Sequence, residues 1–154
     1  MSNEPNNNNG NALETAKFLL STLTIVWAVK FISDIFGKDK GQEERQDKAN
    51  RASEEIYKKF PPSFTDNQYF DWANTLDNAI LGGIDEDEVT VAEIFSKFKN
   101  ASDLIKTNEF FGTRRMQRTM QYVTLGEAIS HYFSPSEKKV LNTILKNKKI
   151  NYSF

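Results

Sequence analysis

Four acidic residues in a row follow a pair of glycines in the segment GGIDEDE, residues 82–88. Carboxylates beside a flexible glycine turn are the kind of residues that collect around calcium, which takes about six to eight oxygen ligands. The same pattern is typical of a helix start, where acidic side chains complement the positive end of the helix dipole. The spacing lacks the fixed glycine and the terminal glutamate of an EF-hand loop. We therefore interpret this segment as the place where one helix ends and the next begins.

Other residue types that perform chemistry are scarce. The chain has no cysteine and a single histidine, His131, which excludes thiolate sites and histidine-cluster metal sites. Ser130 precedes His131, but adjacent residues on a helix do not face each other, which argues against a nucleophile and base pair. No phosphate-binding glycine loop is present. The sequence predicts a protein that is not an enzyme and has no catalytic residue, no metal ligand and no cofactor.

Charge is distributed unevenly along the chain. Residues 61–112 carry ten Asp and Glu against three Lys, whereas residues 113–154 carry eight Lys and Arg against two Glu. This asymmetry is typical of two solvated faces of one domain, or of an acidic end that meets the basic end of a neighbouring copy or partner. The predicted basic contact surface consists of Arg114, Arg115, Arg118, Lys146, Lys148 and Lys149. We expect acidic lipid or an acidic protein opposite it and do not expect nucleic acid, because the formal net charge is −1.

The most apolar stretch is LETAKFLLSTLTIVWAVKFISDIF, residues 13–36, whose central twelve residues are uncharged and lie between Lys17 and Lys30. A bilayer core needs about 20 apolar residues in a helix, so this segment is either a single membrane span or a helix buried between subunits. Trp27 and the two lysines at the ends favour the span. The predicted membrane or assembly residues are Phe18, Leu19, Leu20, Leu23, Ile25, Val26, Trp27 and Val29.

The segments around this helix complete the N-terminal third. Residues 1–12 are rich in asparagine and predict a disordered tail. Residues 37–60 hold thirteen charges of mixed sign and predict a charged linker helix that docks lightly and ends before Pro61. Its thin apolar stripe is Ala49, Ala52, Ile56 and Phe60. Because basic residues are more numerous after the apolar segment than before it, a spanning orientation places the C-terminal domain in the cytoplasm; otherwise the protein lies within a soluble assembly.

Residues 63–154 contain repeated signals for helix starts and helix ends. Three stretches have the form of capping boxes, namely TDNQ, TLGE and SPSE at residues 65–68, 124–127 and 134–137. We predict further helix starts at Asp85 and Ser102, and helix ends at Gly82–Gly83 and Gly112. Five short helices result, and only the final INYSF offers a possible strand. The predicted fold class is all-α.

Five short helices with these boundaries resemble an annexin repeat. The stretch WANTLDNAILGGIDEDEVTVAEIF is similar to the first helix, the glycine turn with Asp-Glu, and the second helix of that family. FFGTR, TLGEAISHYF and SEKKVLNTIL resemble the closing half of the repeat. The resemblance covers about residues 66–147, a single repeat rather than four. It implies a compact five-helix domain and calcium-dependent binding to acidic phospholipid.

The calcium-site pattern of the annexin family is incomplete in this sequence. The glycine turn is one residue shorter, and Ile84 stands where the family has Thr. The region that should supply a distant carboxylate reads SHYFSP, residues 130–135, and contains none. We therefore predict no metal site in the GGIDEDE segment.

The function that these features predict is structural. We expect a non-catalytic structural or adaptor protein, anchored in a membrane through residues 13–36, whose helical domain engages protein partners or further copies of itself. One alternative is a subunit of a large oligomeric assembly, such as a virion or a secretion particle, whose apolar helix packs between subunits. A second alternative is a calcium-dependent phospholipid-binding module.

Overall fold

The computed structural model describes residues 42–82, 86–116 and 120–154, with side chains from Asn50 onward. The predicted tail (residues 1–12) and the predicted apolar helix (residues 13–36) lie outside these ranges. The helices of the described chain are α1 (Gln42–Lys59), α2 (Asp66–Leu81), α3 (Glu88–Lys97), α4 (Ala101–Phe111), α5 (Leu125–Tyr132) and α6 (Pro135–Asn147). Two short strands, β1 (Arg114–Arg115) and β2 (Tyr122–Val123), join α4 to α5. The described chain is therefore mainly helical, and the all-α prediction is confirmed.

Helix α1 lies within the predicted charged linker helix of residues 37–60, and it ends at Lys59, with one residue between it and the two prolines. Ile56 and Ser53 are buried, and Ala52 and Tyr57 are half-buried. This face packs against α4. Phe60, the last residue of the predicted stripe, is 42% exposed, because it lies after the helix end. The side chain of Ala49 lies outside the described residues.

The core is built around α2, which packs most extensively against α4 and next against α3. Its apolar residues recur at helical spacing and form one buried face: Tyr69, Trp72, Ala73, Leu76 and Ile80. Trp72 contacts Phe98, with ring centroids 5.8 Å apart, and Phe98 contacts Phe95 at 5.1 Å. These tilted ring pairs join α2 to the C-terminal end of α3.

The predicted helix caps are confirmed at two of the three capping boxes. At the start of α5, Thr124 exchanges hydrogen bonds with Glu127, and at the start of α6 Ser134 does the same with Glu137. Thr65 occupies the N-cap of α2 as predicted, but its side chain makes no capping hydrogen bond. The helix end at Gly112 is also confirmed, and its φ of 57° lies in the left-handed region that favours glycine.

Two predicted helix starts were wrong by two residues. The N-cap of α3 is Asp87 rather than Asp85, because Asp87 accepts hydrogen bonds from both the backbone N–H and the hydroxyl of Thr90. The N-cap of α4 is Asn100 rather than Ser102, because the Asn100 side chain accepts from the first backbone N–H groups of the helix. Asp85 itself lies outside the described residues.

The strand prediction was wrong as well. The final INYSF is not a strand; Ile150 is buried, and the backbone N–H of Phe154 donates to the Asn142 side chain at 2.9 Å. The strands lie instead at the antiparallel pair of β1 and β2, where Arg114 faces Val123 and Arg115 faces Tyr122. Each strand has two residues, so alternation of polar and apolar residues is too short to be recognised in the sequence.

A buried carboxylate ties three parts of the domain together. Asp103, in the first turn of α4, has no exposed surface. One oxygen accepts from the Tyr69 hydroxyl at 2.6 Å and from the Ser63 N–H at 2.8 Å. The other accepts from the N–H groups of Lys99 at 2.7 Å and Asn100 at 3.3 Å. We refer to these four donors and Asp103 as the Asp103 hub.

Length and apolar composition decide whether one of the described helices could cross a bilayer. None of them, from α1 to α6, combines the length and the apolar character that a membrane crossing demands. The predicted membrane helix of residues 13–36 is outside the described ranges, so its prediction stands as made.

Candidate interaction site

A groove with an apolar floor lies between α3 and α6, and we call it the α3–α6 groove. It encloses about 390 Å³. From α3, its lining residues are Glu88, Val89, Ala92, Glu93 and Ser96. From α6 they are Glu137, Val140 and Leu141, and Phe133 joins them from just before the N-cap of α6. The groove is positioned by the packing of α3 against α6, which is one of the larger helix contacts in the domain.

The helical spacing explains why the groove exists. In α3, the side chains of Val91, Ile94 and Phe95 point into the core. The adjacent stripe of Val89, Ala92 and Ser96 recurs every three to four residues and therefore lies along one edge of the helix. Ala92 and Ser96 are small, so they leave space beside α6 that larger side chains would fill.

Two valines form exposed walls beside a buried floor. Val89 is 62% exposed and Val140 is 53% exposed, whereas Phe133 and Leu141 below them are buried. Val140 belongs by helical spacing to the apolar residues of α6, yet the structure places it at the surface. Exposed apolar side chains that adjoin a concave apolar floor are typical of a surface that a partner covers.

The rim of the groove is acidic. Glu88, Glu93 and Glu137 line it, and none of the described residues in the lining is basic. Hydrogen bonds from the side chain and the backbone N–H of Ser134 hold the pKa of the Glu137 carboxyl below its ordinary range. Hydrogen bonds from Thr90 likewise lower the pKa of Asp87, which precedes α3. The groove therefore combines an apolar floor with negative charge at neutral pH.

A second groove lies on the opposite side of α6, and we call it the lysine groove. It encloses about 380 Å³, and its lining residues are Pro135, Lys138, Lys139, Asn142, Thr143, Lys146 and Phe154. The ion pairs that join described side chains involve Lys58, Lys106 and Arg114, and none involves a lysine of this groove. Three carboxylates and exposed aliphatic side chains thus lie on one side of α6, and three lysines lie on the other.

The predicted basic contact residues have different surroundings in the structure. Arg114 is engaged within the domain: it lies 3.6 Å from the Asp77 carboxylate and donates to the Asn74 side chain at 3.1 Å. Arg115 is exposed and lies 3.2 Å from the sulfur of Met120. Arg118 lies outside the described residues.

The three lysines of the prediction lie at the end of α6 and just after it. Lys146 lines the lysine groove, while Lys148 and Lys149 form the turn that follows the helix. The prediction omitted Lys138 and Lys139, although their spacing of seven to eight residues from Lys146 places all three on one face of a helix. The site prediction also left out the apolar groove residues Val89, Ala92 and Val140, since the sequence does not reveal which edge of an apolar stripe remains uncovered.

Within the described ranges, the residues considered for catalysis and metal binding are not assembled into a site. His131 is exposed, and its ring contacts that of its neighbour Tyr132 at 5.0 Å. The Ser130 carbonyl accepts a hydrogen bond from Lys138 at 3.2 Å. Across residues 42–82, 86–116 and 120–154, no three His, Asp or Glu side chains are grouped as metal ligands would be.

The five helices α2 to α6 follow one another within residues 63–154, with short connections except where β1 and β2 join α4 to α5. A succession of helices does not identify a family by itself, because unrelated helical domains share it. No family model matches the chain, and neither the curated proteins nor the solved structures give a match. The annexin resemblance therefore stays a prediction.

Proposed function

We propose that this protein is a non-catalytic structural or adaptor protein whose N-terminal apolar segment anchors it in a membrane and whose helical domain binds a partner in the α3–α6 groove. The observation that carries the binding role is the groove itself, with Val89 and Val140 exposed above a buried apolar floor. Its acidic rim selects for a partner with basic residues beside an apolar surface.

The anchoring role rests on residues 13–36. A twelve-residue run without charge, bracketed by Lys17 and Lys30, must be buried either in lipid or against protein. The surplus of basic residues after the run places the helical domain on the cytoplasmic side. In this arrangement the lysine groove and Arg115 are the basic surfaces that face acidic lipid headgroups or an acidic protein.

We further propose an annexin-like arrangement for α2 to α6. It is supported by the glycine at the end of α4 and by the succession of five helices, four of which begin with a capping side chain. This proposal does not require calcium, because both acidic residues have a role at the start of α3. Asp87 caps the helix, and Glu88 complements the positive end of its dipole. An experimental structure of the full chain, superposed on an annexin repeat, tests the arrangement.

Membrane extraction tests the anchor. The full-length chain should remain in the membrane pellet after carbonate washing. The double substitution Leu23→Asp and Val26→Asp should release it, since each aspartate at the centre of a span is unfavourable by about 2.5–3.5 kcal/mol. The matched control Asn7→Asp and Asn8→Asp adds the same two charges to the tail and should leave the chain in the pellet.

The opposite result would favour the assembly alternative. If the unsubstituted chain is soluble and large by light scattering, and the Leu23→Asp and Val26→Asp variant is a monomer, the apolar segment joins subunits rather than entering lipid. The membrane proposal would then be wrong, and the α3–α6 groove would remain a candidate contact between subunits.

A further inference from the structure

We propose that the α3–α6 groove is the docking site of the chain's own apolar segment, residues 18–29, whenever that segment is not in lipid. This inference rests on the proposed function in one respect: the same residues are the membrane anchor. An uncharged run of twelve residues cannot remain exposed in water without self-association. Such a run requires an apolar surface that covers it. Among the described residues, the groove offers one, with an apolar floor and exposed apolar walls.

Charge complementarity identifies this occupant. The charges nearest the apolar run are Lys17 on one side and Lys30 on the other. The groove presents Glu88, Glu93 and Glu137 around its apolar floor. An apolar segment with a lysine at each end therefore matches the groove both in its centre and at its rim. The lysine groove offers the opposite charge and does not match it.

The dimensions agree with partial insertion. Along α3, the groove extends from Glu88 to Ser96, which corresponds to about 12 Å at the rise of an α-helix. A helix from Lys17 to Lys30 is about 20 Å long. Roughly two turns of the segment would therefore lie in the groove, with both lysines just beyond its ends. Ala92 and Ser96, four residues apart, allow a helix to approach closely.

The chain is long enough to return to its own domain. The eleven residues between Lys30 and Gln42 span up to about 40 Å when extended. Helix α1, which separates Gln42 from the rest of the domain, has 18 residues and is about 27 Å long. Because the connection is longer than α1, it can run back along this helix and bring residues 18–29 to the surface of their own domain without a second copy.

Site-specific cross-linking tests this docking in the full chain. The protein has no cysteine, so Val140→Cys introduces a single attachment point for a maleimide-benzophenone probe in the groove wall. In detergent-free buffer, illumination should join the probe to residues 18–29 within one chain, as read by peptide mapping on the monomer band. The matched control Gln68→Cys places the same probe at an exposed position of α2 outside the lining and should not label that segment.

Charge exchange adds a readout that nonspecific hydrophobic association would not change. Glu93→Lys in the groove wall, or Lys17→Glu with Lys30→Glu in the segment, should each lower the yield of the cross-link at least threefold. Combining Glu93→Lys with reversal of the one lysine that pairs with it, Lys17→Glu or Lys30→Glu, should restore much of that yield, because this single ion pair is re-formed with its signs reversed. Glu93 is exposed, so its replacement leaves the core intact.

Each alternative outcome overturns the proposal. A cross-link to residues 18–29 that appears only in a dimer band would show that a second copy supplies the segment. Labelling that is equal from Val140→Cys and Gln68→Cys, or that maps outside residues 18–29, would show that the groove has another occupant. These results are independent of carbonate extraction: the segment could fail to dock and still anchor the chain, or dock and fail to enter lipid.

Discussion

Replacing Asp103 should remove a large part of the stability of the helical domain. Asp103→Ala leaves four donors without their acceptor: the Tyr69 hydroxyl and the N–H groups of Ser63, Lys99 and Asn100. A hydrogen bond to a charged group is worth about 1.5–3 kcal/mol, but such values do not add. The backbone near Ser63 and Lys99 is close to the surface and can bind water after the change, whereas Tyr69 is fully buried. We therefore expect a loss of about 3–5 kcal/mol in the free energy of unfolding, the usual range for a broken buried charge network.

Two companion variants separate charge from volume. Asp103→Asn keeps the shape but turns an NH₂ group toward N–H donors, so it should lose nearly as much stability as Asp103→Ala. Tyr69→Phe removes one donor to Asp103 and the acceptor of the Phe64 N–H. It leaves the carboxylate with three donors, so it should lose only about 1–2 kcal/mol.

Urea unfolding followed by far-ultraviolet circular dichroism measures these changes in the full chain. The urea concentration at the midpoint should be lowered least by Tyr69→Phe, more by Asp103→Asn and most by Asp103→Ala. The dependence of the unfolding free energy on urea concentration should stay constant. An Asp103→Asn protein within about 1 kcal/mol of the unsubstituted chain would refute the reasoning, since it would mean that the hub does not depend on a carboxylate.

Three further predictions concern helix ends. Gly112→Ala should lower the free energy of unfolding by about 1–3 kcal/mol in the same urea assay, because Gly112 has a φ of 57° and an alanine there is strained. Ser134→Ala should lower it by about 1 kcal/mol through loss of the α6 cap; an unchanged midpoint would contradict the capping role. The pKa values of Asp87 and Glu137 are lowered in the folded state, so the stability that they contribute is present above the ordinary carboxyl pKa and is lost as the pH falls below about 4. In thermal melts from pH 7 to pH 3, Asp87→Asn should flatten this acid decline without a large change at pH 7, since asparagine caps equally well and does not titrate; an identical decline in both proteins would rule out the Asp87 contribution.

The parts of the fold that the sequence predicts are those that local chemistry determines. Two capping boxes form all their hydrogen bonds within four residues: Thr124 with Glu127, and Ser134 with Glu137. Their pattern is therefore visible in the sequence without any knowledge of the fold. The buried faces of α2 and α3 follow from helical periodicity for the same reason.

The errors arise where a distant contact decides between local alternatives. Four consecutive acids can each cap a helix, and Asp87 is also fixed by its own N–H, which donates to the Ala79 carbonyl at the end of α2. Asn100 is placed at the start of α4 by contacts about forty residues away, since its amide donates to the Pro61 carbonyl and to the Ser63 hydroxyl. No pattern within α3 or α4 reveals these partners.

The candidate site was the least predictable part. Val140 belongs to the apolar stripe of α6 by spacing, and only the position of α3 determines that it becomes a groove wall rather than core. Lys138 and Lys139 could have been grouped with Lys146 by helical spacing. Arg114 looks like a surface base in the sequence, but its ion pair with Asp77 depends on the fold of β1 against α2.

The connection between α1 and α2 has a mechanical consequence. Three residues at the start of α4 hydrogen-bond to this connection. Ser102 donates to the Phe60 carbonyl, and Asn100 donates to the Pro61 carbonyl. Asp103 accepts from the Ser63 N–H. Helix α1 is therefore clamped at its base, and its 18 residues form a stiff spacer of about 27 Å rather than a flexible tether. A force on the N-terminal segment is therefore transmitted along α1 to the start of α4, where the hydrogen bonds of Asn100, Ser102 and Asp103 share it.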